Sequence, residues 1–311
     1  MQPDPKTKPL ETLDRRKGWR VWWQLTRPHT LTASFVPVTV GTVLAAEYTR
    51  IHFGLFFAML IACLLIQTAT NMFNEYFDFK RGLDNEHSVG IGGAIVREGV
   101  EPKTVYRLAL ILVGVSLLLG AYICMRSSWW IAVIGSLSIA VGYLYTGGPY
   151  PIAYTPLGEL FSGFFMGVVI ILISVFIQTG EIQTAQTLVS VPVAILIGAI
   201  NLANNIRDMD GDKKSGRKTL AILLGRKRAI GLLAAMFAVS YLWLFLLIAT
   251  EGMTPWILLA LLSLPTAYKA VRNFIGKTAP KEMLPAMKAT AKTNTQFGML
   301  MAIGIILSYL W

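Results

Sequence analysis

Apolar residues run through this chain in long blocks broken by short polar stretches. The blocks cover about 30–46, 53–70, 105–124, 129–146, 159–178, 188–206, 229–249, 255–272 and 294–311. Each approaches the ~20 residues a helix needs to cross a ~30 Å hydrocarbon layer. Open segments in lipid satisfy their backbone only as helices. The pattern therefore predicts an all-α, multi-spanning membrane helix bundle of about nine transmembrane helices. Residues 1–28 form a polar tail ending in an interfacial stretch with Trp19, Trp22 and Trp23. Residues 29–311 form a single transmembrane domain.

Charge sharpens this picture. Of the 28 Lys and Arg residues, all but Arg50 and Arg126 fall in segments on one side of such a bundle. By the positive-inside rule that side is cytoplasmic. The expected location is the bacterial cell membrane, multi-pass, with membrane lipid as a partner. The net charge of +11 then reflects orientation and attraction to anionic lipid. It does not indicate nucleic-acid binding, because the basic residues are spread over four loops. Cys63 and Cys124 fall inside apolar blocks and suggest no disulfide.

Two polar segments match position for position. Asn71, Asn74, Glu75 and Asp78 follow the second block; Asn201, Asn204, Asn205 and Asp208 stand at the end of the sixth. Each set has i, i+3, i+4, i+7 spacing and so lines one helix face. A further acid follows each, Asp84 and Asp212. Four helices separate the copies, which predicts a parallel internal repeat of about four helices. Carboxylates and carboxamides are hard oxygen ligands of the kind Mg2+ accepts, with substrate phosphates completing its shell. Lys80, Arg81 and Arg97 lie near the first set, and Arg207, Lys213, Arg217 and Lys218 near the second, suited to phosphate. The bland alternative is that these acids are solvated loop charges balanced by their basic neighbours. A second alternative is a cation-coupled transporter, which also uses paired half-repeats and intramembrane acids.

The loop from Tyr145-Thr-Gly-Gly-Pro149 to Gly158-Glu159 lacks Lys and Arg, as if it covers a site instead of meeting headgroups. Tyr145 and Tyr154 there suit either a cation or an interfacial belt. Glu159 reads either as an answer to a helix dipole, slightly the preferred reading, or as a substrate contact. His29, His52 and His87 have no metal spacing.

Five stretches together resemble the UbiA superfamily of intramembrane prenyltransferases. They are Thr26-Arg-Pro-His-Thr-Leu31, Asn74-Glu-Tyr-Phe-Asp78 through Asp84, Gly90-Ile-Gly-Gly-Ala-Ile-Val-Arg97, Tyr145–Pro149 with Gly158-Glu159, and Asn205-Ile-Arg-Asp208 through Thr219. Within the superfamily they resemble the menaquinone branch, the 1,4-dihydroxy-2-naphthoate polyprenyltransferases. Two positions depart from the general pattern: Glu75 stands where Asp is usual, and Asp84 lies further beyond Asp78. The resemblance implies transfer of a polyprenyl group from polyprenyl diphosphate to 1,4-dihydroxy-2-naphthoate, with Mg2+ and loss of CO2 and diphosphate. It implies catalytic and metal roles for Asp78, Asp84, Asp208 and Asp212, with Glu75 at the metal. Asn74, Arg97, Arg207, Lys213 and Arg217 become diphosphate ligands. Asn71, Tyr145, Tyr154 and Arg27 become contacts to the substrates. A different aromatic acceptor is the alternative within the same chemistry.

Overall fold

The computed structural model describes residues 18–83 and 93–310. Every regular element among them is helical. Helix α1 (Trp19–Leu25) buries Val21 and Leu25 and leaves its three tryptophans outside. A 3-10 turn at Pro28–Thr30 leads to α2 (Thr32–Ala45), and α3 spans Phe53–Lys80. Then come α4 (Pro102–Arg126) and α5 (Trp130–Thr146). Helix α6 (Gly158–Ser162) runs through a π-helical turn, Gly163–Val169, into α7 (Ile170–Thr179). Helix α8 (Thr184–Lys214) is followed by a short α9 (Leu220–Leu224) and α10 (Arg226–Glu251). A 3-10 stretch, Pro255–Ser263, continues as α11 (Leu264–Arg272), and α12 (Pro280–Tyr309) closes the bundle.

Five of these are long and apolar enough to cross a membrane: α3, α4, the α6–α7 helix, α8 and α10. Helices α2 and α5 are apolar but shorter. Local chemistry sets the ends. The His52 side chain accepts from the Leu55 amide and caps α3. Gln183 and Gln186 form a reciprocal capping box at α8. Gly180 and Gly252 stop α7 and α10 in the left-handed conformation.

Two helices outrun their apolar blocks. Helix α3 continues through Asn71–Asp78 to Lys80, and α8 continues through Gly211 to Lys214, so both polar sets are helical and Asp212 stays on the Asp208 face. The last helix likewise begins well before its apolar block, at Pro280. Lys288 and Lys292 sit one turn apart on the exposed side of α12, and Thr290 and Asn294 one turn apart on its buried side.

The largest core joins α2, α7, α8, α10 and α12 around Val36, Ile171, Leu196, Leu244, Phe297 and Met301. A second, aromatic core joins α3, α4 and α5, where Phe73 meets Tyr106 and Tyr143 edge-on. The π turn meets α8 almost backbone to backbone. A Cβ on Gly167 would lie 2.4 Å from the Ala194 Cα, and one on Gly163 would lie 2.6 Å from its carbonyl oxygen. Small residues one turn apart allow this approach, as in other membrane helix pairs.

Candidate active site

The C-terminal ends of α3 and α8 face each other across a polar cavity of about 150 Å³. The Arg27–Thr30 turn, Thr146 and the segment after α8 complete its wall. Four arginines (Arg27, Arg97, Arg207, Arg217) and three aspartates (Asp78, Asp208, Asp212) line it among the described residues.

Arg217 joins the two polar sets. Its Nη2 donates to Asp78 Oδ1 at 2.7 Å and its Nη1 to Asp212 Oδ1 at 3.0 Å. Gly216, at φ 77°, turns the chain after α8 so that the Arg217 amide donates back to the Asp212 carbonyl at 3.0 Å. Burial disfavours the Arg217 charge, but Asp78 and Asp212 more than offset this and raise its pKa. Arg207 forks onto its neighbour Asp208, with Nε 2.6 Å from Oδ1. Arg207 itself is buried.

Around these pairs a scaffold of hydrogen bonds fixes the walls. Arg81 donates to the carbonyls of Thr146 and Gly148, tying the loop after α5 to α3. Arg81 and Arg217 both lie over the Tyr154 ring, at 5.3 and 4.7 Å from its centroid. The Lys218 amide donates to the Tyr154 carbonyl at 2.9 Å. The Thr146 hydroxyl donates to Asn74 Oδ1 at 2.6 Å. Asn71 Nδ2 lies 2.9 Å from both the Thr26 carbonyl and the Thr30 hydroxyl, so it pins the turn that carries Arg27. Arg27 has φ 50°, the sole positive φ of a non-glycine among the described residues. That conformation costs roughly 1–2 kcal/mol, and such strain collects at functional sites.

His29 also lines the cavity. Burial first, then the positive charges of Arg27, Arg207 and Lys288, lower its pKa from 6.5 to about 4. It is a neutral imidazole at physiological pH.

The polar cavity shares Arg27, Thr30, Asn74, Tyr145, Asn201 and Asn204 with an apolar chamber of about 390 Å³. That chamber runs between α3, α4, α5, the α6–α7 helix and α8. The free thiols of Cys63 and Cys124 lie on its wall. Arg27 is the one charged side chain lining it among the described residues.

The site residues expected from the sequence therefore divide. Asn74, Asp78, Arg97, Arg207, Asp208, Asp212 and Arg217 meet at the polar cavity, and Arg27 and Tyr145 at its junction with the chamber. Asn71 reaches the chamber alone. Three expectations are corrected. Glu75 does not face the cavity: its Oε1 accepts from the Gly93 amide at 2.6 Å and the Ile95 amide at 3.3 Å, and its Oε2 faces Arg27 at 3.6 Å. Lys213 is exposed on the outer face of α8 and lines neither cavity, because one helical position separates it from Asp212. Tyr154 lines neither cavity, and its ring face is taken by Arg81 and Arg217. Asp84 lies outside the described residues, as do Gly90–Gly92.

The residue chemistry fits a hard cation. Asp78, Asp208, Asp212 and the Asn205 amide offer only oxygen donors, though no three acidic, His or Cys side chains cluster tightly enough to hold a metal among the described residues. Arg217 sits between Asp78 and Asp212, and Arg207 occupies Asp208. Mg2+ needs few protein ligands when phosphates and water supply the rest.

The profile of the UbiA prenyltransferase family matches residues 34–291. The chain belongs to that family. This UbiA prenyltransferase is 60% identical, over 93% of each chain, to the 1,4-dihydroxy-2-naphthoate octaprenyltransferase of Bacillus subtilis. It is 31% identical to the human UbiA prenyltransferase domain-containing protein 1, over 91% of this chain and 82% of that one. Among solved structures it resembles the apo UbiA homologue from Aeropyrum pernix, with TM-score 0.67 and 16% identity over 90% of this chain and 98% of that one. The Archaeoglobus fulgidus homologue bound to GPP and Mg2+ gives TM-score 0.64 and 15% identity over 90% and 99%.

Proposed function

We propose that this UbiA prenyltransferase transfers a polyprenyl group from polyprenyl diphosphate to 1,4-dihydroxy-2-naphthoate, releasing diphosphate and CO2 and forming demethylmenaquinol. One observation carries the reading: an arginine- and aspartate-lined cavity adjoins an apolar chamber and shares six lining residues with it. The Bacillus subtilis relative of 60% identity, which bears that activity in its name, supports it. A charged head and a long apolar tail on one substrate match those two spaces.

In this reading Asp78, Asp208 and Asp212, with Asp84, hold Mg2+. When bound, Mg2+ supplies positive charge to the diphosphate oxygens as the allylic C–O bond breaks. The Archaeoglobus fulgidus homologue binds GPP together with Mg2+, which supports the same pairing here. Arg97, Arg207 and Arg217 take the diphosphate. Arg207 and Arg217 leave their carboxylate partners for phosphate oxygens, so each arginine exchanges one anion for another and is never left bare in a buried site. The tail lies in the chamber, whose apolar wall keeps water from the developing cation. Tyr145, at the junction, presents its ring to that charge. The naphthoate ring enters at the same junction with its carboxylate toward Arg27. The electron-rich ring carbon that bears the carboxylate attacks the allylic carbon, and its bond to the carboxylate then breaks, releasing CO2 and returning the bonding electrons to the ring. No residue is needed to remove a ring proton.

The same reading carries nine membrane crossings: α2, α3, α4, α5, the α6–α7 helix, α8, α10, the 255–272 segment and α12. In it α3 and α8 are equivalent helices of a parallel repeat, the cavity faces the cytoplasm, and the membrane is the bacterial cell membrane. The one-sided placement of Lys and Arg supports this orientation. Residues 29–311 act as one domain behind the 1–28 tail.

The test is turnover by purified protein in lipid discs with 1,4-dihydroxy-2-naphthoate, a long polyprenyl diphosphate and Mg2+. Prenylated product, CO2 and diphosphate should appear together and vanish with a chelator. Diphosphate release without ring prenylation would overturn the acceptor.

A further inference from the structure

Glu159 lines neither cavity, yet it reaches the polar one through a neighbour. It stands in the first turn of α6. It is 7% exposed. Its Oε1 accepts from Asn205 Nδ2 at 2.8 Å, while its Oε2 is buried without a partner among the described residues. Asn205 does line the polar cavity, one turn before Asp208 on the same helix.

The chemistry of this pair decides which way the carboxamide points. An ionised carboxylate only accepts hydrogen bonds, whereas a carboxamide has one donor end and one acceptor end. In the structure Glu159 accepts, and it takes the NH2 end of Asn205. The oxygen end is what remains for the cavity. Asn74 has no such constraint, because its partner is the Thr146 hydroxyl, which can donate or accept. A buried acid with an unused oxygen is a costly way to hold an amide. A hydroxyl would hold it equally well, but would leave it free to turn over.

We propose that Glu159 is a positioning residue that locks the Asn205 amide oxygen toward the polar cavity, making Asn205 a further oxygen ligand for the divalent cation beside Asp208 and Asp212. This rests on the metal-dependent reading above. Its test is direct binding of Mn2+, titrated with inorganic diphosphate present and read by the EPR spectrum of the bound ion. Glu159→Gln can donate as well as accept, so Asn205 loses its fixed sense. This variant should bind Mn2+ at least five-fold more weakly than the wild type while unfolding at the same temperature. Adding Asn205→Asp to it reverses the pair. The amide introduced on α6 then donates to one oxygen of the carboxylate introduced on α8, and the other oxygen faces the cavity, so affinity should return to within two-fold of wild type. Wild-type affinity in folded Glu159→Gln would overturn the proposal. So would a folded double variant that stays as weak as the single one. If the wild type itself binds no Mn2+, the metal-dependent reading fails and this inference with it.

Discussion

Arg217 bridges two aspartates from helices far apart in sequence, so it is both a structural tie and a candidate phosphate ligand. Removing it leaves two partly buried carboxylates facing each other, at a cost of roughly 3–5 kcal/mol for breaking a buried pair. Arg217→Met should lower the unfolding temperature and abolish turnover; Arg217→Lys should keep the fold and lose most of the rate, because an ammonium cannot span both acids in a fork. Asp78→Ala and Asp208→Ala should each remove nearly all turnover in protein that still inserts. Lys80, exposed and off both cavities, should matter far less than buried Arg207 when each is changed to Ala. His29 sets a pH expectation. Its folded-state pKa of about 4 lies below 6.5, so unfolded chains take up the proton first and the native state loses stability as pH falls from 6.5 toward 4. Thermal unfolding of His29→Gln should show a smaller loss over that window. Between pH 6.5 and 8 turnover by this variant should follow the wild-type profile.

Among the elements, the π turn packs directly against the Ala194 backbone of α8, whose far end lines the polar cavity. Gly167→Leu places a side chain against the Ala194 backbone, and overpacking of this kind costs about 1–3 kcal/mol. The expected result is a lower unfolding temperature together with reduced turnover, since Phe165 and Val169 of the same turn line the chamber. Asn71 works at the same scale by holding the Arg27 turn in its strained conformation. Asn71→Ala should raise KM for the naphthoate more than it lowers kcat. Wild-type KM would detach Arg27 from acceptor binding.

Across the whole molecule, charge and volume are separated into two joined compartments. Gly135 on α5 lines the chamber and has open space where a Cβ would stand. Gly135→Phe should therefore fold normally and cut turnover with a long polyprenyl diphosphate much more than with a short one. Equal losses with both would take the tail out of this chamber. The match between the polar sets of α3 and α8 stops at their spacing along the sequence. Glu75 and Asn205 hold matching positions, yet Glu75 secures the Gly93–Ile95 backbone and Asn205 is itself secured by Glu159.

The sequence alone determined the helical class, the polar sets at the ends of two helices and the aspartates and arginines that gather there. Those features follow from hydrophobic length and from i, i+3, i+4, i+7 spacing, which are local properties of the chain. Only the tertiary structure decided which side of each helix met the cavity. Glu75 turned to a loop that follows it in sequence, Lys213 fell one position off the site face, and Tyr154 was covered by two arginines. Glu159 and His29 carried no spacing signal, because their meaning lies in partners brought to them by other segments. Hydrogen bonds and ion pairs across the bundle depend on directions that only packing fixes, and no pattern along one helix encodes them.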